Sequence, residues 1–309
     1  DEFSGRFYLT GGSFGNRNLH AFTGDSFKNF GYLVETFQYK SDGFKQLDNP
    51  DYGGTGFDKK DFLAKFRVNT NAEAKIYQSL TFKIGQATET SNETYLGITD
   101  ADYKLTPYRR YSASQKDLMI TSQSQFSLTH IAEFSKNISL TTTAYRNDFK
   151  RNWYKLAAII ITDTLTGVEN EVEISDEMND DSYTQNGASV YDGIYGILTG
   201  VANTASNEEL EMKANNRKYF GQGVQTVLNF NFNTGNISHK IDVGARVHQD
   251  QVDRFQSKDL YKMENGTMII TQVGKPGTES NRIESADALA MYLQYKLKLD
   301  RVFLLTGKG

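Results

Sequence analysis

Apolar and polar residues alternate along stretches of about nine to eleven residues, and this pattern most limits what the 309-residue chain can fold into. The stretch HKIDVGARVHQD at 239–250 shows it well. Its apolar side chains share one parity: Ile241, Val243, Ala245 and Val247. Its charged and polar side chains share the other: Lys240, Asp242, Arg246 and His248. A period of two predicts a β-strand with two unlike faces.

The same alternation recurs along the chain. It is clear in five further stretches: 61–69, 75–85, 125–134, 219–232 and 288–300. Two stretches near the start, 5–22 and 30–43, are strand-like but less regular. We therefore predict about ten or eleven strands.

The connections between these strands alternate in length. Short polar turns are predicted at 24–29, 69–74, 135–137, 233–236 and 298–300. Long polar loops are predicted at 44–60, 90–120, 154–217 and 254–284. Each short turn joins two strands as an antiparallel hairpin, so all short turns lie at one end of the sheet and all long loops at the other.

Strand length decides which all-β architecture this pattern favours. A soluble β-sandwich alternates in the same way, but its strands average about 5–6 residues, whereas a tilted strand crosses a bilayer in about 9–11. The chain is only 38% hydrophobic and has no apolar run long enough for a transmembrane helix, yet barrel strands carry a much weaker signal. The pattern predicts an antiparallel up-and-down transmembrane β-barrel with short periplasmic turns and long extracellular loops.

The cost of placing a charged side chain in lipid decides which face of the 239–250 strand meets the membrane. Its aliphatic residues are expected to face lipid and its charged residues a wet interior, because a basic residue on the lipid face costs about 2–4 kcal/mol near the midplane. Backbone groups in hydrocarbon require neighbouring strands, so the sheet should close. Both ends of the chain are expected to be cut, so that a complete barrel has more strands.

Four segments resemble a known family. They are FGYLVETFQYKSDGFKQLDN (30–49), TSNETYLGITDADYKLTPYRRYSAS (90–114), TTAYRNDFKRNWYKL (142–156) and VGARVHQDQVDRF (243–255). They are similar to the barrel of TonB-dependent outer-membrane receptors, with the ferric-dicitrate and siderophore branch as the nearest match. The resemblance implies a barrel of about 22 strands, uptake of a scarce ferric chelate, and energy from the inner-membrane TonB system acting on a plug domain. Residues 1–309 would be the N-terminal half of the barrel, without the plug or the C-terminal strands, and not competent for transport alone.

The loop at 93–118 is the strongest candidate for ligand contact. It carries Tyr103, Tyr108, Arg109 and Arg110. Guanidinium groups bind carboxylates through two parallel hydrogen bonds, and tyrosines add rigid contact area. The alternative is that the arginines pair with loop acids such as Asp100 and Asp102 and only order the loop. For Trp153 we favour a place in the aromatic girdle at the membrane interface over a ligand role.

No catalytic residue, cofactor site or protein metal site is predicted, because the sequence contains no recognisable enzyme motif, no cysteine and no histidine pair at ligand spacing. A net charge of -4 gives no basic field for nucleic acid. The expected partners are a ferric chelate or other scarce small ligand, the TonB system and outer-membrane lipid. A passive porin and a non-membrane β-protein that binds glycans or partners through its long loops stay open. The apolar segment 193–206 is expected to be a short helix or a hydrophobic patch inside its loop.

Overall fold

Long antiparallel strands make up most of the chain. The structure is a computed structural model that describes residues 3–49, 54–173, 188–299 and 302–306. The strands are β1 (Ser4–Gly12), β2 (Asn16–Ser26), β3 (Phe30–Ser41), β4 (Gln46–Leu47), β5 (Phe57–Asn69), β6 (Tyr77–Ser91), β7 (Arg109–Arg110), β8 (Leu118–Ser135), β9 (Ile138–Thr162), β10 (Glu169–Glu173), β11 (Glu208–Thr234), β12 (Ile237–Glu264), β13 (Thr267–Gln272), β14 (Glu279–Leu299) and β15 (Val302–Thr306). The helices are α1 (Asp100–Leu105), a 3₁₀ turn (Ser112–Ser114) and α2 (Ala188–Thr199).

One sheet contains nearly all of these strands. Within the described residues its order is β1-β2-β3-β5-β6-β8-β9-β11-β12-β14-β15, with β10 beside β9 and β13 beside β12. Every pairing in this sheet is antiparallel, and the eleven strands of the path follow one another in chain order, so the up-and-down, all-β prediction is confirmed. The eleven strands of the path agree with the predicted ten or eleven. No helix among the described residues is long and apolar enough to cross a membrane.

The ends of the sheet differ in part from the prediction. Four of the predicted short turns, at 24–29, 69–74, 135–137 and 233–236, are correct and lie at one end of the sheet, whereas the predicted turn 298–300 lies partly outside the described residues. At the other end, however, β1 and β2 are joined by the tight turn Ser13–Asn16, in which Phe14 and Gly15 have φ angles of 61° and 62°. Glycine suits the positive φ of position 15, and a Cβ there would lie 2.0 Å from Asp42 Oδ2, so the Asp42 side chain would have to move. The predicted loops 154–217 and 254–284 are wrong in extent, because β9, β11 and β12 continue far into them.

One face of the sheet, here called the apolar face, is covered with hydrophobic side chains. Cross-strand pairing places one from each of eight adjacent strands in a continuous row: Tyr32, Phe66, Phe82, Leu128, Ala144, Val224, Val247 and Leu289. Within the described part of the chain no second layer covers this row, since Val247 and Leu289 are 54% and 68% exposed. A large exposed apolar surface marks an interaction with lipid or protein.

The opposite face, here called the polar face, carries Lys240, Asp242, Arg246 and His248, as the alternation predicts. The packed hydrophobic core lies elsewhere, at the long-loop end. There, side chains from the extensions of β9, β11 and β12 pack against the loop that follows β6 and against α2: Leu156, Leu210, Met212 and Met263 with Leu96, Tyr111, Ile197 and Leu198. The segment 193–206 thus begins as a helix and is also part of this core.

Candidate functional site

The long loops are joined around the carboxylate of Asp102, which is only 7% exposed. Asp102 follows Thr99, whose hydroxyl caps α1 by accepting the Asp102 backbone N–H at 3.2 Å. The hydroxyl of Tyr111 donates to Asp102 Oδ2 at 2.6 Å, and that of Tyr195 on α2 donates to the same oxygen at 2.8 Å. Arg109 donates to Oδ1 at 2.7 Å. One carboxylate therefore connects two separate loops.

Arg109 extends this network to a third loop. Its Nε and Nη2 atoms donate to the two carboxylate oxygens of Asp48 at 2.8 and 3.0 Å. The hydrogen bonds to Asp48 raise the pKa of Arg109, against the opposing effect of burial. Arg109 thus pairs with the loop acid Asp102, which was the alternative to ligand contact, whereas Asp100 pairs with Lys104. Arg109 holds loops together.

The charge of Asp102 is stabilised by its neighbours. Burial would raise its pKa, but hydrogen bonds from Tyr111, Tyr195 and Thr99 and the charge of Arg109 together hold the pKa below its usual value. Asp117, at the end of the same loop, behaves oppositely. Burial raises its pKa to about 7, although it accepts the backbone N–H groups of Leu156 and Tyr95.

The other three predicted contact residues are less engaged. Tyr103 and Tyr108 are more than half exposed, and the Tyr108 ring meets Phe44 edge-on at 5.8 Å. Arg110 donates to the backbone oxygen of Pro107, and within the described residues no carboxylate lies within 4.0 Å of it. Burial lowers its pKa. The structure places Tyr108 and Arg110 on one short segment, beside the parallel β4–β7 pairing.

A second cluster lies on the polar face, near the long-loop end. Four arginines on adjacent strands are direct cross-strand neighbours: Arg151 on β9, Arg217 on β11, Arg254 on β12 and Arg282 on β14. We call this set the arginine row. Neighbouring strands lie about 4.8 Å apart, so the row is about 14 Å long. Like charges directly opposite each other destabilise a sheet, which makes such a row unusual without a counter-ion.

Protein carboxylates neutralise only one end of the arginine row. Glu284 lies 3.1 Å from Arg282 and 3.7 Å from Arg254. Arg217 instead bonds to neutral groups, the Asn215 side chain and the Tyr219 hydroxyl. In the described parts of the chain, neither Arg217 nor Arg151 has a carboxylate within 4.0 Å.

Three lysines follow on the same face, four residues closer to the long loops: Lys155, Lys213 and Lys258. They are better compensated than the arginines. Lys258 pairs with Glu211 at 2.9 Å, and the Lys155 ammonium lies 3.3 Å from the centre of the Tyr95 ring. Arg151 and Arg217 are therefore less compensated than Lys155 and Lys258, and the chemistry of the arginine row suits a ligand with several carboxylate or other anionic groups.

Trp153 lies between these two basic rows. Its parity is that of Arg151, so it is on the polar face, and its ring meets Tyr95 at 5.3 Å. The expected place in the lipid-facing girdle is therefore wrong. On the apolar face, the aromatic residues toward the long-loop end include Phe220 and Phe255. Parity along β9 already carried this signal, because Trp153 has the opposite parity to Ala144 of the apolar row.

The arginine row was missed in the sequence, although a signal for it exists. The turn 233–236 brings Thr234 opposite Ile237. Counting 17 residues outward from each reaches Arg217 and Arg254, so the hairpin alone pairs these two arginines. Both residues fall in segments predicted to be loop or loop boundary, which hid the pairing.

Comparison with solved structures shows the same fold in several receptors and transporters. The siderophore receptor PiuA from Acinetobacter baumannii is 12% identical with a TM-score of 0.59, and the match covers 97% of this chain and 40% of that one. The ferric citrate transporter FecA in its unliganded form is 12% identical, with a TM-score of 0.55 and coverages of 96% and 35%. The ferric-catecholate import receptor Fiu from E. coli K12 is 10% identical, with a TM-score of 0.54 and coverages of 97% and 42%.

This chain therefore spans well under half the length of the receptors it matches. At such low identity the likeness shows the fold, a partial β-barrel. No protein-family model matches the sequence, and no curated protein matches it either.

Proposed function

We propose that this chain is part of the barrel of an outer-membrane, TonB-dependent receptor that takes up an anionic ferric chelate such as ferric citrate or a siderophore complex. Residues 1–309 would supply the N-terminal half of the barrel, and a plug and further strands would complete it. The apolar face supports a bilayer setting, and the fold shared with three receptors or transporters supports this kind of function. The protein is proposed to act by binding and transport, without catalysis.

The antiparallel pattern limits how such a barrel closes. The path has eleven strands, so β1 and β15 run in the same direction. They cannot pair antiparallel with each other, whether in one copy or between two copies. An all-antiparallel barrel therefore needs an odd number of further strands between them, which fits the even strand number of single-chain bacterial barrels.

The observation that carries the proposed ligand class is the arginine row. Four adjacent guanidinium groups present donors toward the proposed wet side of the sheet, and among the described residues two of them have no carboxylate within 4.0 Å. A chelate with several carboxylates or phenolates would neutralise them through paired hydrogen bonds. Tyr103, Tyr108 and Arg110 are proposed as contacts on the loops, whereas Arg109, which bonds to Asp48 and Asp102, is proposed to position the loops.

Binding to the full-length protein tests this directly. Ferric citrate containing radioactive iron is titrated onto outer membranes with the native protein or the Arg151→Gln, Arg217→Gln double variant. Each charged hydrogen bond is worth about 1.5–3 kcal/mol, so we expect affinity to fall about 100-fold or more. The matched control is Lys240→Gln with Lys296→Gln, which removes a directly paired cation pair nearer the short turns. Equal loss in both variants would contradict a specific anion site.

Transport and localisation are tested separately. Uptake of the labelled iron should stop when TonB is deleted, because the proposed receptor needs its energy. Uptake that continues without TonB would favour a passive porin. Extraction of the full-length protein from cells by salt alone, without detergent, would contradict a barrel in the membrane and favour a non-membrane β-protein.

A further inference from the structure

A second basic region lies on the opposite side of the sheet, at the edge of the apolar face. The apolar row crosses β9 and β11 at Ala144 and Val224, and six residues further toward the long loops on these strands come Lys150 and Lys218. These two lysines are direct cross-strand neighbours on the apolar face, and both are exposed. At about 3.3 Å per residue they lie about 20 Å along the strand from the apolar row.

Among the described residues, the two lysines form no ion pair. Arg146, closer to the apolar row, uses its guanidinium on Asp148 at 2.7 and 2.8 Å. Asp253 stands opposite Lys218 in the register, yet the Lys218 ammonium lies over the Phe255 ring at 4.7 Å. Neither lysine has a carboxylate within 4.0 Å in the part of the chain that the structure describes.

From this geometry we propose that Lys150 and Lys218 bind a phosphate group of an outer-leaflet lipid. The inference rests on the proposed membrane setting, but on neither the ferric ligand nor TonB. On β11 the apolar face changes from Val224 through Phe220 to Lys218, which is the order of hydrocarbon, aromatic interface and headgroup expected for a barrel. With Asp148 matched by Arg146, and Asp253 offsetting one lysine, the region keeps one net positive charge.

A phosphate carried by a lipid fits this place better than free phosphate. Two ammonium groups on adjacent strands can each donate to the phosphate oxygens. The acyl chains of the same molecule would then lie along the exposed side chains of Val224 and Val247. Free phosphate would gain only the two ammonium contacts, because it has no apolar part to cover this surface.

The test counts lipid bound to the full-length protein. Purified, delipidated protein in detergent micelles is titrated with diphosphoryl lipid A, and bound lipid is measured by native mass spectrometry. We expect association to weaken roughly five-fold for each lysine removed, so roughly 25-fold for Lys150→Gln with Lys218→Gln. The control is Lys65→Gln with Lys83→Gln, an equally opposed lysine pair on the polar face, which should bind lipid as the native protein does.

Two results would overturn the site. One is equal lipid binding by the Lys150, Lys218 variant and the native protein. The other is binding of inorganic phosphate as tight as that of lipid A, with full displacement of the lipid, which would identify a free-phosphate site. Failure here, in a protein that still fractionates with outer membranes and takes up ferric citrate, leaves the proposed transport function intact. Extraction by salt alone would instead remove the basis of both.

Discussion

A charge placed on the apolar face should destabilise the protein only because that face meets lipid. Val224 lies in the apolar row between Ala144 and Val247, and it is 44% exposed. In water, a lysine at so exposed a site would change stability by no more than about 0.5 kcal/mol. In a bilayer, the same lysine costs about 2–4 kcal/mol near the midplane and less toward the interfaces.

The matched control lies three residues away on the same strand. Val227 is on the polar face, where it pairs with Gly244 and Thr141. Val227→Lys therefore makes the same chemical change toward the wet side. We expect it to cost less than about 1 kcal/mol, whereas Val224→Lys should cost about 2–4 kcal/mol in the free energy of unfolding.

Reversible urea unfolding of the full-length protein in phospholipid vesicles measures both values under one set of conditions. The refuting results are equal costs for the two variants, or a larger cost for Val227→Lys. Either result would mean that the exposed aliphatic row does not face acyl chains, and the bilayer setting would have to be abandoned.

Three further predictions concern the loop network, and amide hydrogen exchange measures each. Arg109→Gln removes charged hydrogen bonds to Asp102 and Asp48, so the free energy of opening of α2 should fall by about 2–3 kcal/mol. An unchanged exchange rate in α2 would contradict the positioning role of Arg109. Tyr195→Phe removes only the hydroxyl that donates to Asp102 and should cost α2 about 1–2 kcal/mol, with no change in the strands. Because burial raises the folded-state pKa of Asp117 to about 7, above its ordinary 3.8, its contribution is complete below about pH 4 and is lost as the pH rises through 7. The exchange rate of the Leu156 amide, corrected for the intrinsic pH dependence of exchange, should therefore rise between pH 5 and 8. Asp117→Asn should abolish that rise.

Much of the fold could be predicted because a period of two encodes it locally. The short turns fix the hairpins, and alternation fixes which residues share a face. The limits of β9 and β11 were missed for two local reasons. Along 210–214, Leu210, Met212 and Ala214 alternate with charged residues, but the run is short and reads as loop. A β-bulge beside Leu156 then places successive apolar residues of β9 on both faces and breaks the period.

The loop network could not be predicted in the same way. Arg109 and Asp48 are 61 residues apart and in different loops, so no periodicity relates them. Only Asp102, seven residues from Arg109, was within reach of local reasoning, and that pairing was one of the alternatives considered. Pairing across a hairpin is easier to predict than pairing between loops, because counting residues outward from the turn identifies the partners.

The arginine row shows a conflict between stability and binding that can be measured. Arg217 faces a like charge on each side, Arg151 and Arg254, and each such pair costs about 0.2–1 kcal/mol. Arg217→Gln should therefore stabilise the empty full-length protein by about 0.4–2 kcal/mol while weakening its binding of ferric citrate about ten-fold or more. Urea titrations without ferric citrate measure the change in stability, and titrations with ferric citrate measure the change in binding. If the variant is less stable than the native protein without ligand, another group already neutralises Arg217, and the row is then a structural ion cluster rather than a site kept open for an anion.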